Sequence, residues 1–266
     1  MRGRVLSIAG SDSGGGAGIQ ADIKAITALG GYAATSITAL TAQNTEGVSA
    51  IMAVEPEFVV EQIRVVLDDI GLDAIKIGML HRAEIVHAVA DFFDSRDDLP
   101  PIVLDPVMIA KGGASLLSED AEKAVVDRLI SKHTTLLTPN IPEAEKLIGT
   151  QITTLADMKN AAIQLMEMGP DAVLLKGGHL DSTVVSDILT THEEYHQYDH
   201  PRIMSRHTHG TGCTLSSSVA TGLAQNLSLV DSVERGLRYV ELAIENAPGF
   251  GRGHGPLNHG HTIGDF

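Results

Sequence analysis

His209-Gly210-Thr211-Gly212-Cys213-Thr214-Leu215-Ser216-Ser217-Ser218 places a glycine-rich turn directly before a run of small residues that predicts a helix over residues 214–224. The first backbone N–H groups of such a helix have no intrahelical partner, and they carry the positive end of the helix dipole. This arrangement holds an anion, most naturally a phosphate. Cys213 falls at the first turn, where the same field predicts a lowered thiol pKa. The stretch therefore predicts an anion site beside a proton acceptor, and it leaves open a plain glycine-rich loop with a small buried cysteine.

Short apolar segments alternate with helical patterns on the N-terminal side of this stretch. Predicted strands occupy residues 5–9, 32–40, 74–77, 102–104, 135–137 and 172–175, and residues 184–189 and 194–198 form a predicted antiparallel pair. Predicted helices occupy residues 19–29, 58–70, 84–93, 119–130, 143–148, 156–168 and, beyond the stretch, 230–246. This alternation is typical of βαβ units and of a mostly parallel sheet with helices on both faces. We therefore predict an α/β fold. Residues 1–266 form a single predicted domain, because neither of the two clearest predicted loops, 94–101 and 249–260, resembles an interdomain linker.

Composition limits the kinds of partner. The chain has 266 residues, of which 43% are hydrophobic and 20% charged, and its formal net charge is −15. So acidic a chain argues against binding to nucleic acid or to an anionic membrane, because either requires a basic patch. The single cysteine excludes an intramolecular disulfide and fits a reducing compartment. The start of the chain lacks a signal-peptide pattern, and no apolar run reaches the ~18 residues of a membrane span. We expect a cytoplasmic protein.

Unusual segments follow nearly every predicted strand. In a parallel α/β sheet, ligands bind outside the carboxyl ends of the strands. The segments expected at that edge are residues 10–18, 78–79, 105–108, 138–143 and 176–179, together with the turn at Gly210. The first glycine loop matches neither the P-loop nor the dinucleotide fingerprint. The convergence of these segments, more than any one of them, indicates a ligand site.

Four polar residues at this edge each allow two interpretations. Asn140 and Glu143 supply oxygen ligands that suit Mg²⁺ bound together with phosphate, or they cap the helix that begins there. Lys176 follows a buried strand and meets nucleotide phosphates, or it is an ordinary surface lysine. Asp22 lies near the ligand, or it is a solvated carboxylate that complements the dipole of the first helix. The histidines lack the ligand spacing of a structural zinc site.

Several blocks of the sequence form a recognisable set. They are residues 8–12 (IAGSD), 15–22 (GGAGIQAD), 38–45 (TALTAQNT), 76–80 (KIGML), 104–108 (LDPVM), 138–144 (TPNIPEA), 175–179 (LKGGH), 209–216 (HGTGCTLS) and 253–256 (GHGP). In these blocks the chain closely resembles the hydroxymethylpyrimidine/phosphomethylpyrimidine kinases of thiamine biosynthesis, which belong to the ribokinase-like superfamily. The resemblance implies a three-layer αβα fold and an enzyme that uses ATP and Mg²⁺.

The resemblance also implies roles for individual residues. Gln43 matches the residue that binds the polar edge of the pyrimidine. The other positions implied in the substrate pocket are Gly10, Asp22, Met79 and Val107. Asn140 and Glu143 match the element that organises Mg²⁺, through water, and phosphate, while Lys176 matches a position beside the nucleotide. The implied anion hole consists of Gly210, Thr211 and Gly212, and Thr211 also contacts the nucleotide.

Cys213 matches the position at which sugar kinases of the superfamily carry an aspartate base. We therefore hypothesise that Cys213 accepts or relays the hydroxymethyl proton while the Gly210 turn stabilises the transferring phosphoryl group. The implied substrates are 4-amino-5-hydroxymethyl-2-methylpyrimidine and its monophosphate, and a homodimer is expected by analogy.

Three other functions stay open at this point. They are a pyridoxal or pyridoxine kinase, a non-catalytic pyrimidine-binding protein on the same fold, and a cysteine hydrolase.

Overall fold

A nine-stranded sheet forms the middle layer of the part of the chain that this computed structural model describes, residues 2–108 and 117–264. Its strands are β1 (Arg4–Asp12), β2 (Tyr32–Asn44), β3 (Gly47–Ala53), β4 (Ala74–Ile77), β5 (Ile102–Leu104), β6 (Leu136–Leu137), β7 (Ala172–Leu175), β8 (Val184–Thr191) and β9 (Tyr195–Pro201). Their order across the sheet is β3-β2-β1-β4-β5-β6-β7-β8-β9. The six strands from β2 to β7 in this order pair in parallel, and β3, β8 and β9 each pair antiparallel with a neighbour.

Helices cover both faces of the sheet. They are α1 (Gly18–Ala28), α2 (Pro56–Asp69), α3 (Ala83–Asp94), α4 (Glu119–Ala124), α5 (Ser131–His133), α6 (Ile141–Ile148), α7 (Leu155–Met166), α8 (Thr211–Ala224) and α9 (Leu229–Glu245), with a π-helical segment, Val125–Ile130, between α4 and α5. One apolar cluster joins the sheet to α2, α3, α4, α6 and α7, and a second joins it to α1, α8 and α9. The predicted α/β class with a mostly parallel sheet is confirmed.

The differences from the predicted elements are local. Strand β3 was not predicted, because its residues at the sheet edge are mostly exposed and carry no apolar alternation. Strand β2 runs four residues beyond the predicted end at position 40, where it pairs with β3. Helix α8 begins at Thr211 and so includes Cys213 in its first turn. The prediction of one domain over residues 1–266 also covers residues outside the described ranges, and it stays a prediction.

The point where the strand order reverses lies at β1. The chain pairs β1 with β2 on one side and returns to pair β4 on the other side. At such a point the loops after adjacent strands separate and leave a crevice beyond the carboxyl ends. Strand β1 leads into the first glycine loop and β4 ends just before Gly78, so both flank this crevice.

A buried ion pair and its hydrogen bonds join four elements beneath the crevice. The Lys76 ammonium on β4 lies 3.0 Å from both carboxylate oxygens of Asp22 on α1, and both side chains are completely buried. Ser7 and Ser217 donate further hydrogen bonds to Asp22, at 2.5 and 2.7 Å, from β1 and α8. The carboxylate thus has four donated hydrogen bonds, which offset the cost of burying the charge.

We expect Asp22→Asn to lower the free energy of unfolding by about 3–5 kcal/mol, because it leaves the Lys76 ammonium buried without its counter-charge. Denaturant unfolding followed by circular dichroism measures this. Glu61→Gln, which breaks the exposed pair between Glu61 and Arg64, is the control and should leave the stability nearly unchanged. The double variant Asp22→Leu with Lys76→Met should recover most of the loss, and an equally unstable double variant would contradict the electrostatic explanation.

Candidate active site

A cavity of about 580 Å³ opens over the carboxyl ends of the central strands. Almost all of the predicted site residues line it: Gly10, Gln43, Met79, Val107, Asn140, Glu143, Lys176, Gly210, Thr211, Gly212 and Cys213. The sequence therefore predicted a set of residues that the fold brings together. Asp22 is the exception among the predicted residues.

The N-terminus of α8 faces the cavity without a side-chain cap. Its N-cap is Gly210, which has a φ of 84°, in the left-handed region. A Cβ at Gly210 would lie only 1.8 Å from the carbonyl oxygen of Gly16, so the two glycine loops are in direct backbone contact. Glycine is needed here both for the backbone conformation and for this close approach. The first N–H groups of α8 are therefore available to an anion in the cavity.

Lys176 places its charge beside this turn. Its Nζ donates to Oδ1 of Asp105 at 2.9 Å, and a Cβ added to Gly212 would lie 3.1 Å from the same Nζ. Burial favours the neutral amine, but the Asp105 and Glu143 carboxylates raise the pKa of Lys176 above its usual value. The group therefore stays an ammonium. Its side chain is only 13% exposed, so it is not an ordinary surface lysine.

Asn140 and Glu143 form a capping box at the start of α6. The Asn140 side chain accepts from the Glu143 backbone N–H, and the Glu143 carboxylate accepts from the Asn140 backbone N–H, both at 2.9 Å. The capping interpretation is thus correct, and both residues also line the cavity. Burial raises the pKa of Glu143 to about 7, although Lys176 opposes this shift. The described residues contain no group of three or more His, Cys, Asp or Glu suited to a metal ion.

The predicted lowering of the Cys213 pKa is wrong. Burial raises the pKa of the Cys213 thiol to about 11, and the Asp22 and Asp105 carboxylates act in the same direction. Lys76 and a hydrogen bond from the Gly18 backbone N–H oppose the rise without cancelling it. Desolvation of a thiolate therefore outweighs the field of the helix terminus. Cys213 faces the cavity as a neutral thiol.

Asp22 does not line the cavity, and neither prediction for it describes its surroundings. It is fully buried behind Lys76 and so is neither solvated nor in direct contact with a bound ligand. Lys76 is the residue that reaches the cavity wall, and a Cβ at Gly78 would lie 2.8 Å from its ammonium. Burial lowers the pKa of Lys76, but Asp22 together with Cys213 and Asp105 raises it above the ordinary value. The cavity therefore holds a second permanent positive charge.

Asp12 organises the first glycine loop. Its carboxylate accepts from the backbone N–H groups of Gly14, Gly16 and Ala17 at 2.8–3.0 Å. It also lies 2.9 Å from Nε2 of His209, which directly precedes Gly210. Burial opposes ionisation, but the hydrogen bonds from His209 and from the loop N–H groups hold the pKa of Asp12 below its usual value. The pair joins the loop after β1 to the start of α8.

Sequence reasoning missed four residues that line this site, namely Asp12, Lys76, Asp105 and His209, and it missed Thr138, which contacts Asp105. Three of these five share a detectable signal with Lys176, because a polar residue stands at an alternate position in or directly after an apolar strand. Lys76, Asp105, Thr138 and Lys176 all follow this pattern and share the face of the sheet that α8 covers. The contact between Asp12 and His209, by contrast, joins positions 197 residues apart. No local sequence pattern predicts this contact.

An uncapped helix terminus, two buried ammonium groups and a cavity large enough for a small ring over an αβα sheet fit a small-molecule kinase of the ribokinase-like class. The chain matches the phosphomethylpyrimidine kinase family over residues 12–258, and it belongs to that family. The resemblance described above is therefore confirmed.

Two curated relatives illustrate the match. The chain is 49% identical over 259 residues to the thiamine biosynthesis bifunctional protein ThiED of Geobacter sulfurreducens, covering 97% of this chain but 52% of that protein. The chain thus spans about half the length of that relative. It is 44% identical over 257 residues to the hydroxymethylpyrimidine/phosphomethylpyrimidine kinase of Bacillus subtilis, covering 96% of this chain and 94% of the relative.

Solved structures agree with the class. Phosphomethylpyrimidine kinase from Clostridium difficile is 39% identical with a TM-score of 0.81, covering 91% of this chain and 99% of that one. An ADP complex of Bacillus subtilis pyridoxal kinase is 29% identical with a TM-score of 0.89, covering 98% of each chain. In the described residues, no helix has the length and apolar character needed to cross a bilayer.

The state of Cys213 predicts slow alkylation. With a pKa of about 11, the folded protein should react with iodoacetamide at pH 8 on the order of 100-fold more slowly than free cysteine, because the thiolate is the nucleophile. Mass spectrometry reports this directly, since the chain has one cysteine. The same chain unfolded in guanidinium is the control and should react at the rate of free cysteine. If the folded protein reacts faster than free cysteine, the pKa of Cys213 is lowered, as the sequence predicted, and not raised.

Glu143→Gln should make the protein more stable at pH 8 and less active. The raised pKa means that the folded state holds the Glu143 proton more tightly than the unfolded chain. The resulting stability is present below about pH 4.5 and is lost as the pH rises through about 7. The glutamine oxygen can still accept from Asn140, so the helix cap is kept.

Unfolding of both proteins at pH 5 and pH 8 measures this effect. From pH 5 to pH 8, the free energy of unfolding should fall more for the wild type than for Glu143→Gln. Glu57→Gln, at the exposed start of α2, is the matched control. Identical pH dependences of wild type and Glu143→Gln would contradict the assignment.

Proposed function

We propose that this kinase transfers the γ-phosphoryl group of ATP to 4-amino-5-hydroxymethyl-2-methylpyrimidine and then to the resulting monophosphate. One observation carries the proposal: the uncapped N-terminus of α8, with Lys176 beside it, shares a cavity with Gln43, an amide suited to an aminopyrimidine edge. The named activities of the relatives support the same substrate.

The positive groups of the cavity stabilise the transferring phosphoryl group. A new bond forms from the hydroxymethyl oxygen to the γ-phosphorus, the bond to the β–γ bridging oxygen breaks, and ADP leaves. Because the transition state is loose, positioning and charge stabilisation contribute more than covalent chemistry by the protein. Backbone N–H groups of Thr211 and Gly212 hold the phosphoryl oxygens, as in an oxyanion hole. Lys176, held by Asp105, supplies positive charge next to them.

Cys213 relays the hydroxyl proton rather than removing it in advance. A thiol with a pKa of about 11 is almost never ionised at neutral pH. In a loose transition state the attacking hydroxyl becomes acidic only as the new bond forms. A neutral thiol is then sufficient as a hydrogen-bond partner while the proton passes to a phosphoryl oxygen. The catalytic requirement falls on the α8 turn and Lys176 more than on Cys213.

The residues present also fit Mg²⁺ bound with phosphates. This ion keeps several waters and needs only one or two protein carboxylates when phosphates supply the other ligands. The Glu143 carboxylate and the Asn140 amide are the groups that would hold it through water, and Glu143 has a carboxylate of suitable charge once its proton is lost. When bound, Mg²⁺ neutralises charge on the nucleotide phosphates. Asn140 and Thr211 are proposed nucleotide contacts.

The remaining wall suits a flat ring. Gly10 allows the Met79 side chain to approach closely, since a Cβ there would lie 2.4 Å from Met79 Cε. Val107 adds apolar surface, and Gln43 adds the polar contact. In the second step the phosphate already on the substrate takes the position of the hydroxyl group near the α8 turn. The pyridoxal kinase likeness makes pyridoxine the substrate to test beside it. Homodimer formation and a cytoplasmic location stay predictions.

Mixing the protein with ATP, Mg²⁺ and the pyrimidine alcohol should give the monophosphate and then the diphosphate, resolved by mass spectrometry. Lys176→Met should lower kcat by about 100- to 1000-fold, the cost of removing one charge stabiliser. Lys132→Met, at an exposed position of α5, should act like the wild type.

Each outcome has a defined meaning. Monophosphate alone would remove the second step from the proposal. Product from pyridoxine but not from the pyrimidine would transfer the assignment to a vitamin B6 kinase. ATP and pyrimidine binding without any product would favour the non-catalytic alternative.

A further inference from the structure

The side-chain amide of Gln43 is held at both of its terminal atoms. As placed, Nε2 of Gln43 lies 3.3 Å from Nε2 of His209, and Oε1 lies 3.1 Å from Oγ1 of Thr41. The oxygen and nitrogen of an amide can exchange places without moving the side chain, so the hydrogen bonds of the partners decide which is which. The two orientations present opposite patterns of donor and acceptor to a ligand.

His209 determines the first atom. Its Nε2 lies 2.9 Å from Oδ2 of Asp12, and an ionised carboxylate only accepts hydrogen bonds. The hydrogen must therefore be on Nε2, whether the imidazole is neutral or protonated. A nitrogen whose one hydrogen is donated to Asp12 cannot accept from an amide NH₂, whereas an amide oxygen can share that hydrogen. The atom of Gln43 that faces His209 is accordingly Oε1.

Thr41 is compatible with the same orientation. Its hydroxyl has one hydrogen and lies 2.9 Å from the carbonyl oxygen of Ser11 and 3.1 Å from the Gln43 amide, so it can donate to only one of them. With Oε1 toward His209, the hydroxyl donates to Ser11 and accepts from Nε2 of Gln43, and all of these contacts are satisfied. In the opposite orientation the amide NH₂ faces a nitrogen that cannot accept, and the Thr41 hydroxyl must choose between the Gln43 amide and Ser11.

The surroundings keep these groups in place. The hydroxyl of Ser13 bonds to both the carbonyl and the N–H of the Gln43 backbone, at 2.9 and 2.8 Å. The pairing of β2 with β3 shifts register between Ala42 and Gln43, and such irregularities redirect a side chain. The His209 ring packs on Gly16, where a Cβ would lie 2.5 Å from Cδ2. Neither the histidine nor the glutamine backbone is free to adjust.

We propose that His209, held by Asp12, and Thr41 are positioning residues that fix the Gln43 amide with Oε1 toward His209 and thereby select the ligand edge. One lone pair on Oε1 and one hydrogen on Nε2 stay available to the cavity. They match a ring edge that offers an amino donor next to a nitrogen acceptor, as a 4-aminopyrimidine does. They reject the 4-oxo ring, whose edge has the reverse pattern. The identity of the ligand rests on the proposed function.

The ring cannot avoid this selection by binding with its opposite edge toward Gln43. Its hydroxymethyl group must face the α8 turn for transfer, and rotation about that axis would move the C4 substituent away from Gln43. A site that leaves its own polar groups unpaired rejects an analogue strongly. The orientation of one amide therefore controls discrimination between two rings of nearly the same size.

The test compares binding of the 4-amino alcohol with that of its 4-oxo analogue by calorimetry, without ATP, and then kcat/KM for both. The wild type should prefer the amino ring by at least about 100-fold in Kd. The double variant Thr41→Val with His209→Leu should lower this ratio at least about 10-fold, partly through tighter binding of the oxo ring. A merely structural role would weaken both rings equally and leave the ratio unchanged.

Conservative variants complete the design. Thr41→Ser keeps the hydroxyl and His209→Gln keeps an N–H donor, so each should preserve the wild-type ratio. A wild type that fails to discriminate or binds neither ring, or a double variant with an unchanged ratio, would overturn the inference. Discrimination in Kd without any phosphoryl transfer would support the inference and contradict the proposed function alone.

Discussion

The uncapped first turn of α8 is the feature on which the rest of the site depends. Helix termini normally satisfy their free N–H groups with a capping side chain, and α8 has none. Gly210 permits the left-handed turn, and its contact with the Gly16 carbonyl fixes the distance between the two glycine loops. Stability of this turn therefore comes from contacts outside the helix, and its N–H groups stay available to phosphate.

Buried charges surround this turn in matched pairs. Lys76 has Asp22 and Lys176 has Asp105, so each ammonium remains protonated in a place where burial alone would neutralise it. The cavity consequently holds positive charge although the chain as a whole carries a net charge of −15. Local arrangement, and not composition, decides whether a protein binds phosphate. The same burial raises the pKa of Cys213 and Glu143, which makes the thiol a poor base.

On the opposite wall of the cavity, hydrogen bonds between residues of different elements orient the polar side chains. Asp12 from the end of β1 orients His209 before α8, and His209 contacts Gln43 at the end of β2. One histidine, which directly precedes the α8 turn, thus contacts both the first glycine loop and the Gln43 side chain. The first glycine loop acts here as a support for that histidine through Asp12, and not as a phosphate loop.

Periodicity and turn residues were sufficient to predict the α/β class, the antiparallel pair β8–β9 and the positions of most helices, because those signals are local. The strand-end rule also predicted that Lys176 and the Gly210 turn lie at one edge, whereas Gln43 was implied only by the family resemblance. Three features required the tertiary structure. Strand β3 exists only because β2 offers it a partner. The thiol pKa depends on how deeply Cys213 is buried, and Asp22 faces Lys76 instead of ligand because four elements meet around it. Burial and long-range contacts set these energies, and a linear sequence does not contain the distances on which they depend.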